Sequence, residues 1–200
     1  PGQTSDLGHV ELGAILGGQG DGAHAPPIEV PARDLLDARR IHGTQAIQVN
    51  ACWPSPNELR CFRSFFPGVR VIVQIGPAAL RSAGLSLSSA VLAYKGVVHD
   101  FLIDGSGGTG APLDVDVMHR HLASIQRDAR ASSAFGWGIA GGLDAERVDL
   151  PGMRRLRETF APLSLDVESG VRRDPQIAGG DLDHDSVRRF LFAAISTHRS

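Results

Sequence analysis

Six short, predominantly apolar runs recur along the chain, each ending at or near a glycine, proline or asparagine: Val10–Leu16, Ala46–Val49, Val69–Ile75, Val97–Ile103, Phe135–Ala140 and Leu163–Val167. A strand with one wet face alternates polar and apolar residues, whereas a run that stays apolar suits a strand covered on both sides, as in a parallel sheet. Segments with helical spacing lie between the runs. Ala32–Ile41 keeps Leu35, Leu36 and Ala38 apolar, and Pro56–Phe66 spaces Leu59, Phe62 and Phe66 as one core-facing stripe. Val115–Ala129, Met153–Phe160 and Asp185–Ile195 follow the same rule. In the last of these, Asp183 or Asp185 caps the helix and Val187, Phe190, Leu191 and Ala194 point inward. Strand–helix alternation of this kind is the signature of an α/β fold with right-handed crossovers. No linker or composition break divides residues 1–200, so one domain is expected. Periodicity leaves two architectures open, a doubly wound sheet and a (β/α)8 barrel.

Charge excludes one broad class. Twenty Lys and Arg against 22 Asp and Glu leave a net charge of −2, which is not the balance of a general nucleic-acid binder. Only Lys95 is a lysine, and the nineteen arginines are scattered rather than striped. No stretch approaches the roughly 18–20 apolar residues of a membrane span. Residues 1–13 lack the basic and apolar regions of a signal peptide. Two cysteines, Cys52 and Cys61, cannot build a disulfide framework or a four-thiolate metal site, and a reduced cytoplasmic setting is expected. Cys61 reads as a packing residue of its helix. Cys52 follows a strand, where either a nucleophile or a small buried thiol could sit.

In either architecture ligands gather at the carboxyl ends of the strands. The fourth run ends there in Asp104, followed by Gly105-Ser106-Gly107-Gly108-Thr109-Gly110. Asp104 can reach a ligand from that position, or can simply cap the turn by accepting from loop amides. Gly105-x-Gly107-x-x-Gly110 matches a dinucleotide fingerprint in form only, because Pro112 follows where a helix should begin. The fifth run leads into Gly141-Gly142 and the sixth into Ser169-Gly170. Two consecutive loops exposing backbone N–H groups and a hydroxyl suit a phosphate, although each glycine alone could merely permit a tight turn. His119 and His121 are two apart on a predicted helix and make poor joint metal ligands.

Taken together, Phe101–Gly110 with Pro112 and Asp114, Ile139–Asp144, Leu165–Val171 and Asp183–Phe190 resemble the phosphoribosylanthranilate isomerase family of tryptophan biosynthesis. The resemblance covers about half the chain, from near residue 97 onward, and residues 46–76 match more loosely as the family's fourth and fifth strands. It implies a (β/α)8 TIM barrel and an Amadori rearrangement of a phosphoribosylated amine, with neither metal nor organic cofactor. Asp104 would be the general acid that protonates the ribose ring oxygen. Gly107, Gly108, Gly141, Gly142, Ser169 and Gly170 would hold substrate and its phosphate, and Asp166 would be a substrate-site carboxylate. The partner would be a small phosphorylated sugar-amine, with no nucleic acid or membrane. The chain departs from the family at several positions. The family's basic cysteine, in a Cys-Gly-Ile-Thr motif, has only Pro1-Gly2-Gln3-Thr4 as its nearest counterpart. Its anthranilate-binding arginine has no match in Gly17–Pro27, and Asn50-Ala51 stand where it has His-Gly. Glu168 adds negative charge beside the phosphate loop, with Arg172 close enough in sequence to offset it. The alternative function is a non-catalytic or re-purposed phosphosugar-binding paralogue.

Length bears on the barrel. At roughly 31 residues per unit, 200 residues hold about six and a half (β/α) units, which agrees with six legible strands. The shortfall against the family is expected near Pro1–Gly8 and within Pro31–Thr44, where its first and third strands should fall, the sequence being discontinuous there.

Overall fold

A computed structural model of the chain describes residues 14–17, 45–50, 53–83, 87–107, 111–174 and 181–196. Six strands lie in one sheet: β1 (Ala14–Gly17), β2 (Ala46–Asn50), β3 (Arg70–Ile75), β4 (Asp100–Asp104), β5 (Gly136–Ala140) and β6 (Ser164–Leu165). They stand in the order β1-β2-β3-β4-β5-β6, every neighbouring pair parallel. A doubly wound sheet reverses its strand order at a switch point. This one never does, and the unbroken succession is that of consecutive staves in a (β/α) barrel.

Between β2 and β6 the chain crosses back through helices. α1 (Pro56–Phe65) follows β2, and α2 (Pro77–Ala83) and α3 (Leu87–Leu92) follow β3. α4 (Val115–Gln126) and α5 (Ala129–Ser132) follow β4, and α6 (Ala145–Val148) and α7 (Pro151–Thr159) follow β5. After β6 come a 3-10 turn, Ser169–Val171, and α8 (His184–Ser196). The starts are chemically marked. Ser55 accepts from Glu58 N ahead of Pro56, Asp114 accepts from Val117 N at 2.9 Å, and Asp183 accepts from the backbone and hydroxyl of Ser186. Asp183, not Asp185, therefore caps the last helix.

Side-chain parity divides each strand. Ile47 and Val49, Val71, Val73 and Ile75, Phe101 and Ile103, and Ile139 are all buried in the core. They pack with Leu59 and Phe62 of α1, Val91 of α3, Met118 and Leu122 of α4, and Met153 and Leu156 of α7. Each such side chain contributes about 1.5–3 kcal/mol by leaving water. Phe101 joins Tyr94, Phe135 and Trp137 in one aromatic cluster, with ring centroids 4.9–5.8 Å from its own. The even-numbered residues turn the other way, and there the reading of strands apolar on both faces needs correction. Gln48, Gln74, Asp100, Asp104 and Ser164 form a polar file. Of these, Gln48, Asp100 and Ser164 line an open hollow of about 630 Å³.

Other expectations also change. Cys61 is exposed, not packed, because Leu59 and Phe62 define the buried stripe of α1 and residue 61 falls outside it. Leu191 is 51% exposed, together with Phe192 and Ile195. Phe190 is the buried side chain of α8, flanked by partly buried Val187 and Ala194, and one residue further the helix has turned about 100° away. The helix expected over Val115–Ala129 breaks at Arg127, where Asp128 accepts from Arg130 N and starts α5. The strand expected from Val97 begins at Asp100, Val97 and Val98 being buried in the preceding turn. Ala32–Ile41, Cys52, Gly108, Pro1–Gly8 and Pro31–Thr44 lie outside the described residues.

Candidate active site

The site grows from the even-numbered file at the carboxyl ends of β3 to β6. In the register of the sheet Leu102, Gly138 and Ser164 form one transverse row. Asp104 pairs with Ala140 one step higher, and continuing the β5–β6 register by one residue puts Asp166 in that same row. The amide of Asp166 still donates to Ile139 O at 3.0 Å, so the pairing extends to it. The file on β5 is small throughout, Gly136, Gly138 and Ala140, which leaves a trough between β4 and β6. Side chains lean over it from both banks. A Cβ on Gly138 would lie 3.0 Å from Leu102 Cδ1 and 3.4 Å from Ser164 Cβ, and one on Gly141 only 3.3 Å from Asp104 Oδ1.

Asp104 is 4% exposed and held from two sides. Gln74 Nε2 donates to Oδ2 at 2.7 Å, while the backbone N–H and hydroxyl of Ser106 donate to Oδ1 at 2.9 and 2.7 Å. Gln74 is itself oriented, its Oε1 accepting from Gln48 Nε2 at 2.9 Å. Three strands and a loop thus fix one carboxyl group. Asp104 caps its turn through Oδ1, as the second of the two readings expects, and accepts from Gln74 through Oδ2. Gln48, Gln74 and Ser106 escaped the sequence reading. Their signal was a polar residue at even positions in otherwise apolar runs, in step with Asp104.

The two glycine loops meet. Gly170 has no room for a side chain, since a Cβ there would stand 2.0 Å from Leu143 O and 2.9 Å from Asp144 Cβ. The Ser169–Val171 turn is therefore seated directly on the loop after β5. Gly141 and Gly142 take φ values of +117° and +52°, in the region that favours glycine. Arg147 braces this loop by donating to Gly142 O and pairing with Asp144. Gly107, at φ +62°, lies further off in the loop after β4, against Pro77 at the start of α2.

The site's electrostatics are acidic and uneven. Asp166 is exposed and lines the hollow, yet the protein around it raises its pKa above 3.8, by desolvation first and then by the like charge of Glu168 and Asp104. Glu168 pairs with Arg172 at 3.3 Å, so the offset expected between those two residues is present. His119 and His121 sit on α4 away from the trough, His119 against the Phe160 ring. Among the described residues no group of His, Cys, Asp and Glu is placed to hold a metal ion, and no helix is long and apolar enough to cross a membrane.

A sequential parallel sheet whose acidic groups and glycine loops meet at the strands' carboxyl ends defines a protein of the (β/α)-barrel class. The chain is 34% identical over 92 residues to the N-(5'-phosphoribosyl)anthranilate isomerase of Chloroherpeton thalassium (strain ATCC 35110 / GB-78). That match takes in 46% of this chain and about a third (35%) of the relative's length. No family profile matches. Among solved structures, the phosphoribosyl anthranilate isomerase from Thermococcus kodakaraensis superposes with a TM-score of 0.57 at 22% identity, over 82% of this chain and 70% of that one. The N-(5'-phosphoribosyl)anthranilate isomerase from Pyrococcus furiosus gives 0.55 at 21% identity, over 84% and 70%. The Thermus thermophilus structure of the same name gives 0.56 at 17%, over 84% and 68%. Within its class, this chain is similar over part of its length to one phosphoribosylanthranilate isomerase, and it shares the fold of the solved ones.

Proposed function

We propose that the chain is an isomerase that carries out an Amadori rearrangement of a phosphoribosylated amine, phosphoribosylanthranilate being the first candidate substrate, in the tryptophan-forming context its relatives' names indicate. The observation that carries this reading is the row Asp104, Ala140, Asp166, with the Gly141–Gly142 and Ser169–Gly170 loops packed together at the same end of the sheet. Asp104 is the acid, protonating the ribose ring oxygen as the C1–O bond opens. Gln74 and Ser106 hold its two oxygens. The glycine loops take the phosphate on their backbone N–H groups, with Ser169 adding a hydroxyl and Gly107 and Gly108 bordering the sugar. The chemistry calls for no metal or organic cofactor, and a cytoplasmic setting suits it.

Glu168 favours a second reading. Its side chain is 58% exposed beside the loop that should receive an anion, which suits a paralogue that binds a phosphosugar without turning it over. Turnover of phosphoribosylanthranilate, followed by loss of its fluorescence, separates the two. Wild-type turnover that falls at least a hundredfold in Asp104→Asn supports the isomerase. Activity indifferent to that substitution sinks the mechanism, and binding without turnover leaves the paralogue.

A further inference from the structure

A phosphate cradle made of glycine loops has a weakness, because glycine backbone can turn an N–H away from an anion as readily as toward it. We infer that Arg147 is the positioning residue of this cradle, fixing the peptide between Gly142 and Leu143 so that its N–H stays available to the phosphate. This rests on the proposed function, in which the Gly141–Gly142 and Ser169–Gly170 loops hold that phosphate.

Three contacts carry the placement. Arg147 Nη1 donates to Gly142 O, Arg147 Nε pairs with Asp144 Oδ2 at 3.5 Å, and the backbone N–H of Arg147 donates to Asp144 Oδ1 at 2.8 Å. The guanidinium thus grips the loop after β5 at two points, from α6 just beyond it. In a planar trans peptide the C=O and the N–H of the next residue point in opposite directions. Drawing Gly142 O toward Arg147 therefore aims the Leu143 N–H away from α6. Among the described residues nothing accepts from the N–H groups of Gly142, Leu143, Ser169 or Gly170. Without the brace the Gly142–Leu143 plane could turn over easily, since Gly142 at φ +52° has no side chain to oppose it.

The same side chain sets the second loop. A Cβ on Gly170 would crowd Leu143 O and Asp144 Cβ, so the Ser169–Val171 turn rests on the two residues that follow Gly142. Arg147 contacts both carboxylate oxygens of Asp144. One residue thereby fixes the two loops relative to each other.

Charge is the lesser part of this role. The positive charge of Arg147 is matched by Asp144, and the two side chains are 38% and 25% exposed, so partner and solvent both screen it from an anion. Arg172, beside the other loop, is likewise engaged by Glu168. What Arg147 supplies is direction. A guanidinium presents its donors in a rigid fork that reaches two acceptors at once, whereas a lysine ammonium is a point charge on a flexible stem.

The test is equilibrium binding of inorganic phosphate, by calorimetry, at about 0.05 and 0.5 M NaCl. It compares wild type, Arg147→Ala, Arg147→Lys and the control Arg154→Ala, which removes a positive charge that α7 pairs with Asp149. Arg147→Ala should bind phosphate about 10–100-fold more weakly than wild type at both salt concentrations. Arg147→Lys should lose about 3–10-fold, keeping a donor for Gly142 O but not the fork. Arg154→Ala should stay within about twofold. With phosphoribosylanthranilate, Arg147→Ala should raise KM by the factor lost for phosphate and leave kcat within about threefold. Phosphate affinity near that of wild type in Arg147→Ala overturns the positioning role while the phosphate assignment stands. So does a loss that disappears at the higher salt, or full recovery by lysine, since either makes Arg147 a charge and nothing more. Should circular dichroism show Arg147→Ala unfolded, Arg147→Lys decides alone: wild-type affinity overturns the inference and the smaller loss upholds it. A wild-type protein that binds no phosphate sinks the cradle reading and this inference together.

Discussion

Gln74 donates its side-chain amide to Asp104 across 2.7 Å, and the two side chains are only 7% and 4% exposed. The direction of this bond is set by a third residue, because Gln48 occupies Gln74 Oε1 and leaves Nε2 to face the carboxyl. On the proposed function, Gln74 is a positioning residue acting through Asp104. Gln74→Leu should lower kcat roughly 10–100-fold with little change in KM, and cost about 1–3 kcal/mol through the unpaired carboxyl oxygen. Gln74→Glu, which sets a second acid against Asp104, should be worse on both counts. Steady-state kinetics and urea unfolding check both variants. A kcat unchanged in Gln74→Leu would refute the positioning role.

Gly170 is where the two glycine loops touch, and any side chain there must push Leu143 O aside. Backbone cannot yield as a flexible side chain does. Gly170→Ala should destabilise by about 1–3 kcal/mol, a fall of roughly 2–10 °C in Tm for a chain of this length. It should also weaken inhibition by inorganic phosphate, since the loops are forced apart. Thermal denaturation and phosphate inhibition constants are the measurements.

Asp166 carries a stability cost whose sign can be worked out. Its folded pKa lies above 3.8, chiefly through desolvation and secondly through Glu168 and Asp104. Between 3.8 and the raised value the folded state binds more protons than the unfolded one, so stability falls as pH rises through that window and stays lowered above it. Asp166→Asn should therefore be more stable than wild type at pH 7. The advantage should vanish near pH 3, where both states are protonated. Urea midpoints at the two pH values decide it.

His99 sets the opposite dependence. Burial, then Arg63 and Arg70, lower its pKa below 6.5 against the pull of Asp100, and its Nδ1 accepts from Val71 N at 2.9 Å. The unfolded chain takes up a proton at pH 6.5 and below, while the folded chain resists until its own lower pKa. Stability should accordingly fall as pH drops from about 6.5. His99→Asn, which offers an uncharged acceptor, should flatten part of that slope. His121, lowered by burial and by Arg120, keeps the rest. Tm measured from pH 8 to 5 tests this.

Much of the architecture was written locally. All six apolar runs overlap strands, and helices were legible wherever a buried stripe persisted for ten residues, as at Leu59 and Phe62 or Met118, Leu122 and Ile125. The short helices Pro77–Ala83 and Leu87–Leu92 went unread, because each buries too few side chains to print a period. Asp104 could be picked out because a carboxyl stood where an apolar run met glycines. Its partners could not, because Gln48 and Gln74 lie 56 and 30 residues away and are joined to it only by strand pairing.

Sequence by itself determined the alternation of strand and helix, the places where strands end, and the residue types waiting at those ends. These follow from steric and solvation preferences felt within a few residues. Tertiary structure decided the strand order, which separates a barrel-type sheet from a doubly wound one, and the register that sets Asp104 level with Asp166 over Ala140. It also decided which face of each strand borders the hollow. Hydrogen bonding between strands distant in sequence carries that information, and no local pattern of residues encodes it.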